Sequence, residues 1–92
     1  MKIAFDVDGT LIKKSITGED IPRYDVINML LSFHRFGNDI FVWSGGGVDY
    51  ATRWTEKLGI AKLVLVIPKG SDVVDMAIDD EDVELGIVNF KV

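Results

Sequence analysis

Acidic, hydroxyl and lysine side chains follow the apolar runs of this sequence, each at the point where a run ends. They are Asp6 and Asp8, then Ser44, then Lys69, then Asp79 and Asp80. Carboxylates, a hydroxyl and an ammonium group can together supply a nucleophile, a proton donor, cation ligands and partners for phosphate oxygens. No cysteine is present, so disulfides, thiolate metal sites and cysteine nucleophiles are excluded.

The apolar runs predict five strands. They cover Lys2 to Phe5, Ile40 to Trp43, Leu63 to Ile67, Val73 to Ile78, and Gly86 to Val92. Two helices are predicted between strands, one from Pro22 to Gly37 and one from Gly47 or Asp49 through Leu58. Because strands connected through helices pair in parallel, the pattern indicates an α/β, three-layer Rossmann-like domain with a mainly parallel central sheet of about five strands.

Parallel strands bring their carboxyl ends to one edge of a sheet, where open α/β sheets bind ligands. The six polar residues are therefore expected to converge there. Asp6 and Asp8 are separated by one residue, Val7, and would project to the same face of a strand. Beside Asp79 and Asp80 they would repel by about 4 kcal/mol per pair of unit charges at ~4 Å and an effective dielectric constant of about 20. Mg²⁺ would offset that repulsion, since it binds carboxylates, water and substrate phosphates through oxygen.

A phosphate-binding segment is predicted after the second strand. Ser44 supplies a hydroxyl, and the three glycines that follow let backbone N–H groups approach an anion at the start of a helix. Lys69 would bring a cation to the same oxygens and offset the charge of the group being transferred.

Four segments, taken in order, resemble the motifs of the haloacid dehalogenase (HAD) superfamily of phosphohydrolases. FDVDGTL resembles the first motif, VWSGG the second, PKG the third and AIDD the fourth. The resemblance extends from Lys2 to about Glu81. DxDGT-L is its most specific element, and the order and strand-end position of all four motifs add to it.

The resemblance implies a Mg²⁺-dependent phosphatase that hydrolyses a phosphomonoester through an aspartyl-phosphate on Asp6. Asp8 would act as general acid and base. The metal would be held by the Asp6 carboxylate, the Asp8 backbone carbonyl and Asp79, with Asp80 ligating directly or orienting a metal-bound water.

For the phosphoryl oxygens, the resemblance implies binding by Ser44, the Gly45 amide and Lys69, with Lys62 as the alternative lysine. The interval between Lys69 and Asp79 is too short for the usual helix, which is expected to be absent or reduced to a turn.

The family commonly carries a cap domain, but this chain has no room for one after the first motif or between the second and third. The segment from Leu11 to Ile21 is expected to form only a loop or a small hairpin flap. We therefore expect residues 1–92 to form a single capless domain whose site is open.

A phosphorylated macromolecule, such as a nucleic-acid end or a phosphoprotein, would itself cover the open site. A nucleotide or sugar phosphate would be covered by another subunit. The sequence does not choose among these substrates, and a homo-oligomer is compatible with it.

The length, net charge and hydropathy of the chain indicate which classes of protein it can belong to. The chain has 92 residues and a net charge of -5, which suits one compact domain and argues against non-specific nucleic-acid binding, since its ten Lys and Arg residues are scattered. No apolar stretch approaches the roughly 20 residues of a membrane span. A cytoplasmic protein without membrane association is the expectation.

Other interpretations of the same residues remain open. Asp-x-Asp-Gly occurs in calcium loops and ordinary turns, although an EF-hand loop would need further oxygen ligands that this stretch lacks. A receiver-type phosphoacceptor domain also places aspartates, a hydroxyl and a lysine on a parallel sheet, but its phosphorylated aspartate follows the third strand, where this chain has Ile67 and Pro68. A catalytically silent phosphate-binding or interaction module of the same fold is the third alternative.

Overall fold

The structure is a computed structural model that describes all residues, Met1–Val92. Its elements in chain order are β1 (Lys2–Asp6), β2 (Ile12–Lys14), β3 (Asp20–Pro22), α1 (Tyr24–Arg35), β4 (Asp39–Trp43), α2 (Val48–Lys57), β5 (Leu65–Val66), β6 (Val74–Asp79) and β7 (Gly86–Lys91). Neither helix has the length and apolar character needed to cross a membrane.

The central sheet has five strands in the order β5-β4-β1-β6-β7, and every neighbouring pair is parallel. This confirms the prediction of an α/β domain with a mainly parallel five-stranded sheet and no cap. Across the two central ladders, Asp6 pairs with Trp43 and Phe5 with Ile78. The carboxyl ends of β1, β4 and β6 are therefore level with one another.

Both helices pack on the same face of the sheet. Ile3 and Phe5 of β1 share one buried cluster with Leu30 of α1 and Ala51 of α2. Apolar residues recur at helical spacing along α1, so one side of that helix is buried while the other is solvated. This cluster is the larger of the two hydrophobic cores.

The second face of the sheet is covered by irregular chain rather than by a helix. Its smaller core includes Ala4 and Trp43, and the residues packed against it are Ile67, Val83 and Leu85. Right-handed crossovers account for this arrangement: connections running from β1 toward β5 lie over one face, and those returning toward β7 lie over the other. The returning connections contain no helix, as expected for the short interval after Lys69, so the third layer is built from loops.

The expected flap is a hairpin, in which β2 and β3 pair antiparallel and Ile12 lies opposite Pro22. The prediction that Pro22 opens the first helix is wrong by two residues, because Pro22 ends β3 and α1 begins at Tyr24. Between them, the Arg23 N–H donates to the Leu11 carbonyl and continues the hairpin contact. Proline is tolerated there because an edge position does not need its missing N–H.

The third predicted strand is shorter than its apolar run. Only Leu65 and Val66 pair with β4. Leu63 lies in a turn, where its N–H donates to the Ile60 carbonyl. A run of apolar residues does not separate a strand from the buried turn that leads into it.

Candidate active site

The polar residues that follow the strands lie at one edge of the sheet. Asp6 ends β1 and Asp79 ends β6, while Ser44 comes directly after β4 and Lys69 follows β5. Because all these strands are parallel and in the same sheet, their carboxyl ends face the same side of the molecule.

Lys69 lies between two buried carboxylates. Its Nζ donates to Asp6 Oδ1 at 3.0 Å and to Asp79 Oδ2 at 2.9 Å. Asp6 and Asp79 are only 5% and 2% exposed, whereas the Lys69 side chain keeps 26% of its surface in solvent. The lysine ammonium group therefore lies between the two carboxylates, and its exposed side can be reached by an anion from solvent.

Asp80 completes an acidic group with Asp6 and Asp79. One carboxylate oxygen from each of the three lies within 4.8 Å of the others. Thr10, which is fully buried, donates its hydroxyl at the long distances of 3.4 Å to Asp6 Oδ2 or 3.5 Å to Asp80 Oδ1. The Glu81 N–H donates to Asp79 Oδ1 at 3.0 Å and fixes that carboxylate.

The residues present fit a divalent cation that prefers oxygen. Three carboxylates and one ammonium group leave a surplus of negative charge in a mostly buried place, and all the available donors are hard oxygen atoms. Mg²⁺ and Mn²⁺ bind such donors, whereas zinc sites in proteins usually contain nitrogen or sulfur. Asp6, Asp79 and Asp80 would hold the ion.

Burial and neighbouring charges shift the pKa values of Asp6 and Lys69. The pKa of Asp6 is raised from 3.8 to about 6. Burial is the largest cause, the hydrogen bond from Lys69 offsets part of the rise, and the charges of Asp79 and Asp80 add to it. Burial opposes the charge on Lys69, but its hydrogen bonds to Asp79 and Asp6 outweigh that effect and raise the pKa of the lysine. At neutral pH, Asp6 is therefore mainly an ionised carboxylate beside a protonated lysine.

The turn after β1 brings its backbone against Asp80. Gly9 has a φ of +80°, and a Cβ added there would lie 2.1 Å from Asp80 Oδ2. Only glycine fits this position, because a side chain would be strained and would also displace the carboxylate. The Arg23 guanidinium donates to the Gly9 carbonyl at 3.0 Å and holds the turn from the other side.

Asp8 lies apart from the acidic group, with its side chain exposed to solvent. Its Oδ1 accepts a hydrogen bond of 2.5 Å from the Tyr50 hydroxyl. That hydrogen bond raises the pKa of Tyr50, since it is lost when the phenol ionises. The side chain of Asp8 is thus positioned by Tyr50 of α2 and not by a contact with the acidic group.

The segment after β4 forms a tight turn into α2. Ser44 is buried, and its Oγ accepts a hydrogen bond of 3.0 Å from the Gly46 N–H. The Gly45 N–H donates to no group of the protein, and Gly47 precedes α2 without a side-chain cap. Free N–H groups at a helix start are suited to bind an anion.

The structure distinguishes the two candidate lysines. Lys62 lies beside Asn38 and Asp39, at the amino end of β4 and therefore at the opposite edge of the sheet. Lys69 is the lysine that contacts Asp6.

Three residues that contact the site, Thr10, Arg23 and Tyr50, are not marked as site residues by the sequence motifs. Thr10 belongs to the DGT segment, so its fixed position four residues after Asp6 was a usable signal. Arg23 and Tyr50 contact the turn after β1 from elements that are distant in sequence, and no local pattern marks such contacts.

Comparison of the chain with protein-family models, with curated proteins and with solved structures gives no match.

Proposed function

We propose that this protein is a Mg²⁺-dependent phosphomonoesterase of the HAD type, with Asp6 as its nucleophile. The observation that carries the proposal is the environment of Asp6 at the carboxyl edge of the sheet. Lys69 contacts one of its oxygens, and the carboxylates of Asp79 and Asp80 lie within 4.8 Å. A carboxylate buried among a cation and metal-binding oxygens is suited to attack an anionic phosphoryl group.

The reaction would proceed in two displacements. In the first, an Asp6 oxygen forms a bond to phosphorus while the bond from phosphorus to the leaving oxygen breaks, and Asp8 gives its proton to that oxygen. In the second, Asp8 takes a proton from water, which attacks the aspartyl-phosphate and releases inorganic phosphate. Asp6 and Asp8 then return to their starting states.

Other residues would bind the transferring group. Lys69 would offset its negative charge, and the Ser44 hydroxyl with the Gly45 N–H would donate to its oxygens. Mg²⁺ held by Asp6, Asp79 and Asp80, with the Asp8 carbonyl, would neutralise further charge on the phosphoryl oxygens.

The substrate class is left open by the exposed site. The β2–β3 hairpin is the only extra segment after β1, and no cap encloses the carboxyl edge. A phosphorylated nucleic-acid end or phosphoprotein would itself cover the site, whereas a nucleotide or sugar phosphate would depend on a second subunit.

The test is release of inorganic phosphate with and without Mg²⁺. Substrates are p-nitrophenyl phosphate and a panel of nucleotides, sugar phosphates, a phosphopeptide, and 3′- and 5′-phosphorylated oligonucleotides. We expect Mg²⁺-dependent release that Asp6→Asn abolishes. Asp39→Asn is the matched control, because it makes the same chemical change at the exposed start of β4 on the opposite edge.

Three results would contradict the proposal. Activity that persists in Asp6→Asn, or that does not need a divalent cation, would reject the mechanism. Absence of activity on every substrate would instead favour a catalytically silent phosphate-binding module.

A further inference from the structure

The hydrogen bond between Tyr50 and Asp8 joins the two loops that carry the proposed chemistry. Asp8 lies in the turn after β1, and Tyr50 lies in the first turn of α2, directly after the Ser44 turn. The Tyr50 hydroxyl donates to Asp8 Oδ1 at 2.5 Å. Such a short distance is typical of a hydroxyl donating to a carboxylate.

The tyrosine ring is itself held in place by the Ser44 turn. A Cβ added at Gly46 would lie 3.0 Å from the Tyr50 ring, so the ring and the backbone of Gly46 are packed closely. The Gly46 N–H in turn donates to Ser44 Oγ. The position of the phenol is therefore set by the loop that would bind the phosphoryl group.

Asp8 has no other side-chain contact to fix it. Its carboxylate is exposed, it is outside the Asp6, Asp79 and Asp80 group, and no protein donor reaches Oδ2. An exposed carboxylate samples several rotamers unless a partner restrains it. The Tyr50 hydroxyl is that partner, and it leaves one oxygen free.

We infer that Tyr50 is a positioning residue for proton transfer by Asp8. The phenol engages Oδ1 and thereby leaves Oδ2 as the oxygen that carries the proton to the leaving group. The inference rests on the proposed function, since it assigns Asp8 the role of general acid. Tyr50 keeps its own proton throughout, so Asp8 alone gives up a proton in the first displacement and regains one from water in the second.

This role predicts a dependence on the leaving group. A poor leaving group, such as an alkoxide, needs a proton as its bond to phosphorus breaks, whereas p-nitrophenolate leaves readily without one. Misplacing the general acid should therefore slow the hydrolysis of alkyl phosphates far more than that of aryl phosphates. A residue that only stabilised the fold would slow both classes equally.

The experiment measures kcat/KM for a series of phosphomonoesters from p-nitrophenyl through phenyl to alkyl, with Mg²⁺ present. This quantity reports the first displacement. For Tyr50→Phe we expect a loss of about 10-fold or more on the alkyl ester, in the range of general acid catalysis, and at most about 2-fold on the p-nitrophenyl ester. Asp8→Asn should show the same trend with larger losses.

Tyr24→Phe is the matched control, because Tyr24 is 66% exposed and makes no hydrogen bond through its hydroxyl. It should leave the whole series unchanged. The unfolding temperatures of both variants should match that of the unsubstituted protein. The Mg²⁺ affinity of Tyr50→Phe should also be unchanged, since the carboxylates of Asp6, Asp79 and Asp80 do not contact the phenol.

Equal losses on every ester, or no loss on any, would overturn the role of Tyr50 while leaving the phosphatase intact. An unsubstituted protein that hydrolyses no ester would overturn the proposed function and this inference together.

Discussion

The central interaction at the residue scale is the contact of one lysine with two buried carboxylates. Lys69 bridges Asp6 and Asp79 at 3.0 and 2.9 Å. A buried ion pair adds little net stability, because desolvation offsets most of the attraction. Removing one partner is costly, however, since the remaining charges stay buried. Lys69 is therefore both a proposed phosphate ligand and a structural neutraliser of the site.

Replacing the lysine should destabilise the metal-free protein. For Lys69→Met we expect the free energy of unfolding to fall by about 3 kcal/mol, because two buried carboxylates lose their cation. Lys62→Met, at the opposite edge, should change it by less than about 0.5 kcal/mol. Urea denaturation in the presence of a chelator measures both. Equal effects of the two substitutions would contradict the role given to Lys69.

At the scale of elements, the turn after β1 positions the site through backbone contacts. Gly9 lies against Asp80, and Arg23 holds the Gly9 carbonyl from the segment between β3 and α1. The hairpin and the start of α1 thus stabilise the turn that follows Asp6 and contains Asp8.

Two glycine substitutions distinguish the effect of backbone strain from the effect of displacing the Asp80 carboxylate. Gly9 and Gly18 both have a positive φ, but an added Cβ meets Asp80 at Gly9 and nothing within 4 Å at Gly18. Gly18→Ala should cost about 1 kcal/mol from backbone strain alone and leave Mg²⁺ affinity unchanged. Gly9→Ala should cost more and weaken Mg²⁺ binding by about 10-fold or more, since Asp80 must move. Calorimetric Mg²⁺ titration compares them, and equal affinities would contradict the placement of Asp80.

The sequence predicted the strands that carry the site, because the apolar runs before Asp6, Ser44 and Asp79 are clear and end in polar residues. It predicted the ends of elements less well. One apolar run covers both β5 and the turn at Leu63, and Pro22 belongs to β3 although it is also typical of a helix start. It did not predict the contact of Tyr50 with Asp8, which joins residues 42 positions apart. That contact depends on how α2 packs on the sheet.

At the scale of the whole molecule, the acidic site is a source of instability that a small domain must offset. Burial raises the pKa of Asp6 from 3.8 to about 6. Between these pH values the folded protein binds more protons at Asp6 than the unfolded chain does. The contribution of Asp6 to stability is therefore largest below about pH 4 and is lost as the pH rises through 6.

Without divalent cation, we expect the stability difference between the unsubstituted protein and Asp6→Asn to change with pH in that window. The unsubstituted protein should lose about 2 to 3 kcal/mol relative to the variant between pH 4 and about 7. Saturating Mg²⁺ should restore the loss, because the ion binds the ionised carboxylate. Urea denaturation at several pH values checks this, and parallel pH profiles of the two proteins would refute the raised pKa.

Identification of the phosphorylated residue tests most directly whether Asp6 is the nucleophile. The protein is mixed with p-nitrophenyl phosphate and Mg²⁺, quenched in acid within milliseconds, digested, and analysed by mass spectrometry. We expect a hydroxylamine-sensitive phosphoryl group on Asp6 that is absent from Asp6→Asn and retained, with slower decay, in Asp8→Asn. A phosphoryl group on any other residue, or substrate turnover with no phosphorylated protein at any time, would contradict it.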